Sequence, residues 1–98
     1  MQGETSTSGS AVIRTVTIVN RLGLHARAAA KFVKLAAQFT ADIQVCNRGV
    51  EVSGRSIMGL MMLAASPGTT IEIRGSGTDA DAAVQALVTL VEDRFDEE

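Results

Sequence analysis

The chain's one histidine, His25, stands in Gly23-Leu24-His25-Ala26-Arg27, where a strand-like run gives way to a helix-like run. A helix start presents free backbone N–H groups and a partial positive charge, and both favour an anion. A neutral imidazole there is a nucleophile that works near neutral pH. Arg27 adds a planar fork of donors suited to phosphate oxygens. A nucleophile beside two kinds of phosphate donor reads as a place to hold a phosphoryl group covalently. The bland alternative is a surface histidine with a satisfied ring. One His and one Cys cannot build a metal site of three or four ligands, and no Ser lies in a nucleophile-elbow motif. A neutral His25 needs no carboxylate base, and none lies near it in sequence.

Two further features flank this one. Arg27, Lys31 and Lys34 follow at i, i+4, i+7 and share a helix face. That stripe is either a solvated face or a dock for an acidic partner. Ser56-Ile57-Met58-Gly59-Leu60-Met61-Met62-Leu63 is apolar all round after a Ser cap. A two-layer fold of this size buries only one helix face. If Leu60 and Leu63 point inward, Ile57, Met58 and Met61 stay uncovered and offer an adaptable protein-binding patch. Ser56 itself is, by default, the cap of that helix.

The elements that must position these residues follow from periodicity. Val12 to Val19 alternates as a half-buried strand, and Asn20 to Leu24 is a loop turning at Gly23. Ala26 to Phe39 carries the helical spacing of Ala29, Phe32, Val33, Ala36 and Phe39. Ile43 and Val45, then Val50 and Val52, form a hairpin about Asn47-Arg48-Gly49. A short helix over Ser56 to Ala65 and a turn at Pro67-Gly68 lead to a strand over Thr70 to Arg74. Gly75-Ser76-Gly77 reads as a loop, and Asp79 to Phe95 as a long helix. The order βαββαβα, with strands apolar on one face, predicts an α+β open-faced two-layer sandwich. Its four-stranded antiparallel sheet is covered on one face by three helices. Met1 to Ser10 has nothing to bury and reads as a disordered tail before a single domain over residues 11–98.

Bulk composition excludes several classes. Ninety-eight residues make one modest core, built from aliphatic side chains because only 3% are aromatic. A net charge of −2 is no footprint for nucleic acid. No apolar run reaches membrane-spanning length and no signal peptide opens the chain. The single Cys46 suits a reducing cytoplasm. Charge is nonetheless uneven: no Asp or Glu falls between Thr5 and Ala41, while Glu92, Asp93, Asp96, Glu97 and Glu98 crowd the end.

The motifs Gly23-Leu24-His25-Ala26-Arg27 and Ser56-Ile57-Met58-Gly59, with their spacing and the element order, resemble the HPr family of histidine phosphocarriers. These belong to the phosphoenolpyruvate-dependent phosphotransferase system. The resemblance spans about Val12 to Phe95. It implies that His25 accepts a phosphoryl group on Nδ1 from enzyme I and passes it to an enzyme IIA. It further implies that Arg27 stabilises that group and that Ser56 is a substrate of an HPr kinase/phosphorylase. The implied partner surface is Ala26, Arg27, Lys31, Lys34, Ile57, Met58 and Met61. On this reading the chain is a monomeric stoichiometric carrier without cofactor. Asn20-Arg21-Leu22-Gly23 and Phe95-Asp96-Glu97-Glu98 are similar to the nitrogen-related branch, NPr. Ala28 departs from the family, which usually has proline after the active-site arginine. The competing expectation is a ligand-binding or protein-interaction regulatory module of ferredoxin-like topology, with the histidine incidental.

Overall fold

A computed structural model describes residues 11–97. The expected tail over Met1–Ser10 lies outside those residues, as does Glu98. Four strands, β1 (Val12–Thr17), β2 (Asp42–Asn47), β3 (Val50–Ser53) and β4 (Thr70–Ser76), form one sheet in the order β1-β4-β2-β3. Every neighbouring pair is antiparallel. Helices α1 (Ala26–Ala36), α2 (Ile57–Met62) and α3 (Ala80–Glu92) cover one face. This is the expected open-faced α+β sandwich. It is not the ferredoxin-like arrangement, which has its first and third strands at the sheet centre; here β4 and β2 are central.

Period-two alternation sends Val16, Ile43, Val45, Ile71 and Ile73 into the core. Against them pack Phe32 and Ala36 of α1, Leu60 of α2, and Val84, Leu87 and Val91 of α3, all fully buried. The other sheet face carries polar side chains such as Glu72 and Arg74, paired at 2.8 Å. In the β2–β3 hairpin, Arg48 and Gly49 take φ of 53° and 83°. Positive φ at both turn residues matches the twist of the strands it joins.

Element boundaries depart from the periodic reading where tertiary contacts decide. Gly75 and Ser76 belong to β4 and not to a loop. As a central strand, β4 pairs on both sides there, Gly75 with Val12 and Ile43, and Ser76 with Asp42. Residue 75 is glycine because α3 lies close above it; a Cβ would meet Val84 Cγ2 at 2.7 Å and Ile43 Cδ1 at 3.3 Å. At the other end β1 stops at Thr17, short of Val19, yet Ile18 still exchanges backbone hydrogen bonds with the turn at Gly68 and Thr69. α1 ends at Ala36 because Gln38 and Phe39 bond to carbonyls three residues back, tightening the last turn. Similar bonds from Leu63 and Ala64 close α2, and Ala64 then takes φ 52°. α3 stops at Glu92, short of Phe95, and a 3₁₀ turn follows over Arg94–Asp96. Before α3, the Asp79 carboxylate accepts from Thr40 and Ala41 N–H at 2.9 and 2.8 Å, fixing the α1–β2 connection.

The sheet–helix distance at Gly75 sets a stability prediction. Gly75→Val should lower unfolding free energy by about 1–3 kcal/mol, since the added atoms overpack the α3 contact. Urea denaturation checks it, and a midpoint equal to that of the unmutated chain would refute the close-approach account.

Candidate functional site

His25 is the N-cap of α1, with extended backbone angles (φ −80°, ψ −180°). Its Nδ1 accepts the N–H of Arg27 at 3.3 Å, as a Ser or Asp side chain would at this position. The chain reaches that point through Gly23, at φ +68°. A Cβ there would lie 2.6 Å from the Ala65 carbonyl, to which Leu24 N–H bonds at 2.9 Å. Gly23 thus lets the loop sit tightly against the segment after α2, with Leu24 buried beneath it.

The other ring nitrogen meets a residue distant in sequence. His25 Nε2 lies 2.5 Å from Glu97 Oε2, and the two side chains are 26% and 16% exposed. No carboxylate near His25 in sequence pointed to it, so Glu97 is an addition to the expected site. Glu97 Oε1 accepts from Asn20 Nδ2 at 3.1 Å, and the same amide donates to the Gly23 carbonyl at 2.8 Å. Two acceptors thus fix the orientation of the Asn20 amide, at the cost of leaving its buried Oδ1 without a hydrogen-bond partner. Burial alone would raise the Glu97 carboxyl. Hydrogen bonds from Asn20 and His25, with the charges of His25 and Lys31, outweigh it and hold the group below its ordinary 4.5.

Glu97 reaches the ring because the chain turns sharply after α3. Arg94, Phe95 and Asp96 all have positive φ (58°, 54° and 60°). Phe95 is fully buried, and its carbonyl accepts from Lys31 Nζ at 2.7 Å. Lys31 therefore ties the C-terminal turn to α1, in addition to its place on the basic stripe. Arg21, Leu22, His25, Ala26, Arg27, Lys31, Asp96 and Glu97 line an open cleft of about 850 Å³.

Of the residues expected at the site, His25, Ala26, Arg27 and Lys31 come together in this cleft. Lys34, Ile57, Met58 and Met61 do not line it; Lys34 lies in the last turn of α1. Leu60 and Leu63 are buried while Ile57, Met58 and Met61 are exposed, as the two-layer argument requires. Met62 and Leu22 are also exposed, at 74% and 69%, and were not anticipated. Ser56 caps α2, its Oγ accepting from Gly59 N–H at 2.9 Å. Glu97 and Asn20 were missed. The available signal was an acidic end that had to lie somewhere and a lone histidine whose ring needed a second partner. Among the described residues no group of three or more His, Cys, Asp or Glu is placed to hold a metal.

The fold agrees with comparison to known proteins. Residues 12–93 match the model of the PTS HPr component phosphorylation site. The chain belongs to the HPr family of phosphocarriers of the phosphotransferase system. Over 83 residues it is 48% identical to phosphocarrier protein HPr of Xylella fastidiosa, covering 85% of this chain and 93% of that protein. It is 49% identical over 84 residues to phosphocarrier protein NPr of Shewanella violacea, covering 86% and 92%. The crystal structure of an HPr from Thermoanaerobacter tengcongensis superposes with a TM-score of 0.85 at 41% identity, covering 89% of this chain and 98% of that one.

The lowered Glu97 carboxyl yields a pH prediction. A depressed native value means that the ionised clasp stabilises the fold above the ordinary value of 4.5 and is lost as pH falls through the native one. Carbon-13 titration of the Glu97 carboxyl should show a midpoint below 4.5, and Asn20→Ala should move it upward. A midpoint at or above 4.5 would show that burial prevails over the hydrogen bonds.

Proposed function

We propose that this chain is a stoichiometric phosphocarrier, taking a phosphoryl group from enzyme I on His25 and handing it to an enzyme IIA. The observation that carries the reading is the cap geometry of His25. Its ring is part-exposed at the start of α1, with Nδ1 held as an acceptor and therefore carrying a lone pair. The transferring group would meet helix N–H groups and the Arg27 guanidinium, and such transfer is mainly positioning and electrostatics. The partner enzyme supplies the remaining catalytic groups, so the chain has no turnover of its own.

Partners would dock on Ala26, Arg27, Lys31 and Lys34 together with Ile57, Met58 and Met61, an apolar centre with a charged rim. The carrier acts as a cytoplasmic monomer, and no helix of the described residues is long and apolar enough to cross a membrane. Resemblance to the nitrogen-related branch favours a regulatory role in place of sugar transport, and a phosphocarrier protein NPr is among the relatives. Phosphorylation of Ser56 by an HPr kinase/phosphorylase would place a charge of about −1.5 to −2 next to Ile57 and Met58, where a partner must strip water. Its effect is on recognition, so enzyme I-dependent labelling of His25 should slow once Ser56 is modified. Equal labelling rates would leave Ser56 a cap only.

Incubation with enzyme I and phosphoenolpyruvate tests the carrier reading itself. The unmutated chain should gain one acid-labile phosphoryl group and His25→Ala none, with its fold intact because the side chain is part-exposed. Arg27→Ala should slow transfer roughly 10- to 100-fold, the worth of one charge-assisted donor acting mainly in the transition state. Normal labelling of His25→Ala would overturn the assignment, and an unchanged rate for Arg27→Ala would reduce Arg27 to surface charge.

A further inference from the structure

Two independent contacts choose the same protonation state for His25. Nδ1 faces a backbone N–H, that of Arg27, so it must be the bare nitrogen. Nε2 faces a carboxylate oxygen at 2.5 Å, so it must carry the proton. The carboxylate is itself held, because Glu97 Oε1 is taken by Asn20 and only Oε2 is turned to the ring. Asn20 is fully buried and anchored to Gly23, two residues before His25. The turn that delivers Glu97 is fixed by the buried Phe95 and by Lys31 on its carbonyl.

We propose that Glu97 is a positioning residue for His25, its carboxylate keeping the ring proton on Nε2 so that Nδ1 retains the attacking lone pair, with Asn20 orienting the carboxylate. The inference rests on the carrier reading above. In the transfer step the Nδ1 lone pair forms the N–P bond while the bond from phosphorus to the phosphorylated donor protein breaks, its electron pair leaving with the donor. No proton leaves the ring. His25 becomes an N-phosphorylated imidazolium that still carries its Nε2 proton, and the new positive charge sits against Glu97. In the onward step the ring leaves phosphorus as neutral imidazole in the tautomer it started with. The arrangement therefore serves both directions of transfer without a proton relay. The other charged groups lining the cleft are Arg21, Arg27, Lys31 and Asp96. Among the described residues none of these side chains hydrogen-bonds to the ring, so the tautomer is set by Glu97 and the Arg27 N–H.

Glu97→Gln separates this role from simple support of the turn. Asn20 donates to the Oε1 position, so it will hold the amide oxygen of the substituted side chain and turn the NH₂ toward Nε2. Nε2 is then pressed to accept, which shifts the proton toward Nδ1 against the Arg27 N–H, and every ring so protonated is blocked from attack. Glu97→Ala merely releases the ring. Nitrogen-15 NMR of His25 in the unphosphorylated protein, at alkaline pH where imidazole is neutral, should show the Nε2–H tautomer. Glu97→Gln should show a raised Nδ1–H fraction, and Glu97→Ala, which keeps the Arg27 N–H contact, should remain mainly Nε2–H. In phosphoryl uptake from enzyme I, Glu97→Gln should be slower than the unmutated chain by roughly 10- to 100-fold, and slower than Glu97→Ala. A purely structural role predicts the opposite order, with Ala the worse. An Nδ1–H tautomer in the unmutated chain, or equal uptake rates for it and Glu97→Gln, would overturn the inference. The tautomer measurement needs no donor protein. A chain with the Nε2–H ring that takes up no phosphoryl group would thus overturn the carrier reading and not the Glu97 contact.

Discussion

A single imidazole shared between a helix start and a distant carboxylate is the constraint on which the rest of the site depends. Helix N-caps are ordinarily Ser, Thr, Asp or Asn, whose oxygens accept an orphan N–H. His25 does this with Nδ1, which fixes the plane of the ring relative to α1. Once the plane is fixed, the direction of Nε2 is fixed, and a partner has to be brought to it from elsewhere. The loop from β1 must arrive tightly packed, hence Gly23 against Ala65. The chain after α3 must return across the start of α1, hence the turn at Arg94–Asp96. These are separate demands on residues 72 positions apart, met by one sheet that puts the end of β1 beside the end of α3.

That return is costly locally. Left-handed backbone in a residue with a Cβ costs about 1–2 kcal/mol, and three consecutive residues adopt it here. Burying the Phe95 side chain offsets about 1.5–3 kcal/mol. The Lys31 bond to its carbonyl adds about 1.5–3 kcal/mol, being charge-assisted. The two sides are of similar size, so the turn is held by what it docks on and not by its own preference. Its contacts with Phe32-bearing α1 and with His25 are therefore coupled: a change that loosens Phe95 also withdraws Glu97 from the ring.

The layers, element order and inward positions were legible because they follow from period and spacing. Ile71 and Ile73 could only alternate as a strand, and Leu60 with Leu63 could only be the inner face of a short helix. The misreadings share one cause. Gly75-Ser76-Gly77 has loop composition, but a central strand paired on both sides carries Gly75 and Ser76 into the sheet. Phe95 lies four residues after Val91, so its spacing extends α3. Its burial is real, but it is reached through positive φ, to which hydrophobic periodicity is blind. His25 and Arg27 were legible as chemistry because they are adjacent in sequence. Glu97 was not, since its role exists only after the fold has closed, and an acidic chain end has the same composition whether it is solvated or docked.

The balance of charge in the cleft bears on why such a site suits a carrier. Arg21, Arg27 and the start of α1 would attract a phosphoryl group, while Glu97 and Asp96, which line the same cleft, would repel it. Lys31 is engaged with the Phe95 carbonyl, and its charge acts on Glu97. A cleft lined only by cations would bind the phosphorylated state too tightly to release it, and one without them would not stabilise the transferring group. Placing the carboxylate on Nε2, across the ring from Nδ1, resolves the conflict: its negative charge is felt by the imidazolium directly and by the phosphoryl group only from the far side. In the proposed carrier the same carboxylate would stabilise the ring's charge in the loaded state and weakly disfavour the dianion it carries. Such opposed effects would keep the two proposed transfer steps near balance.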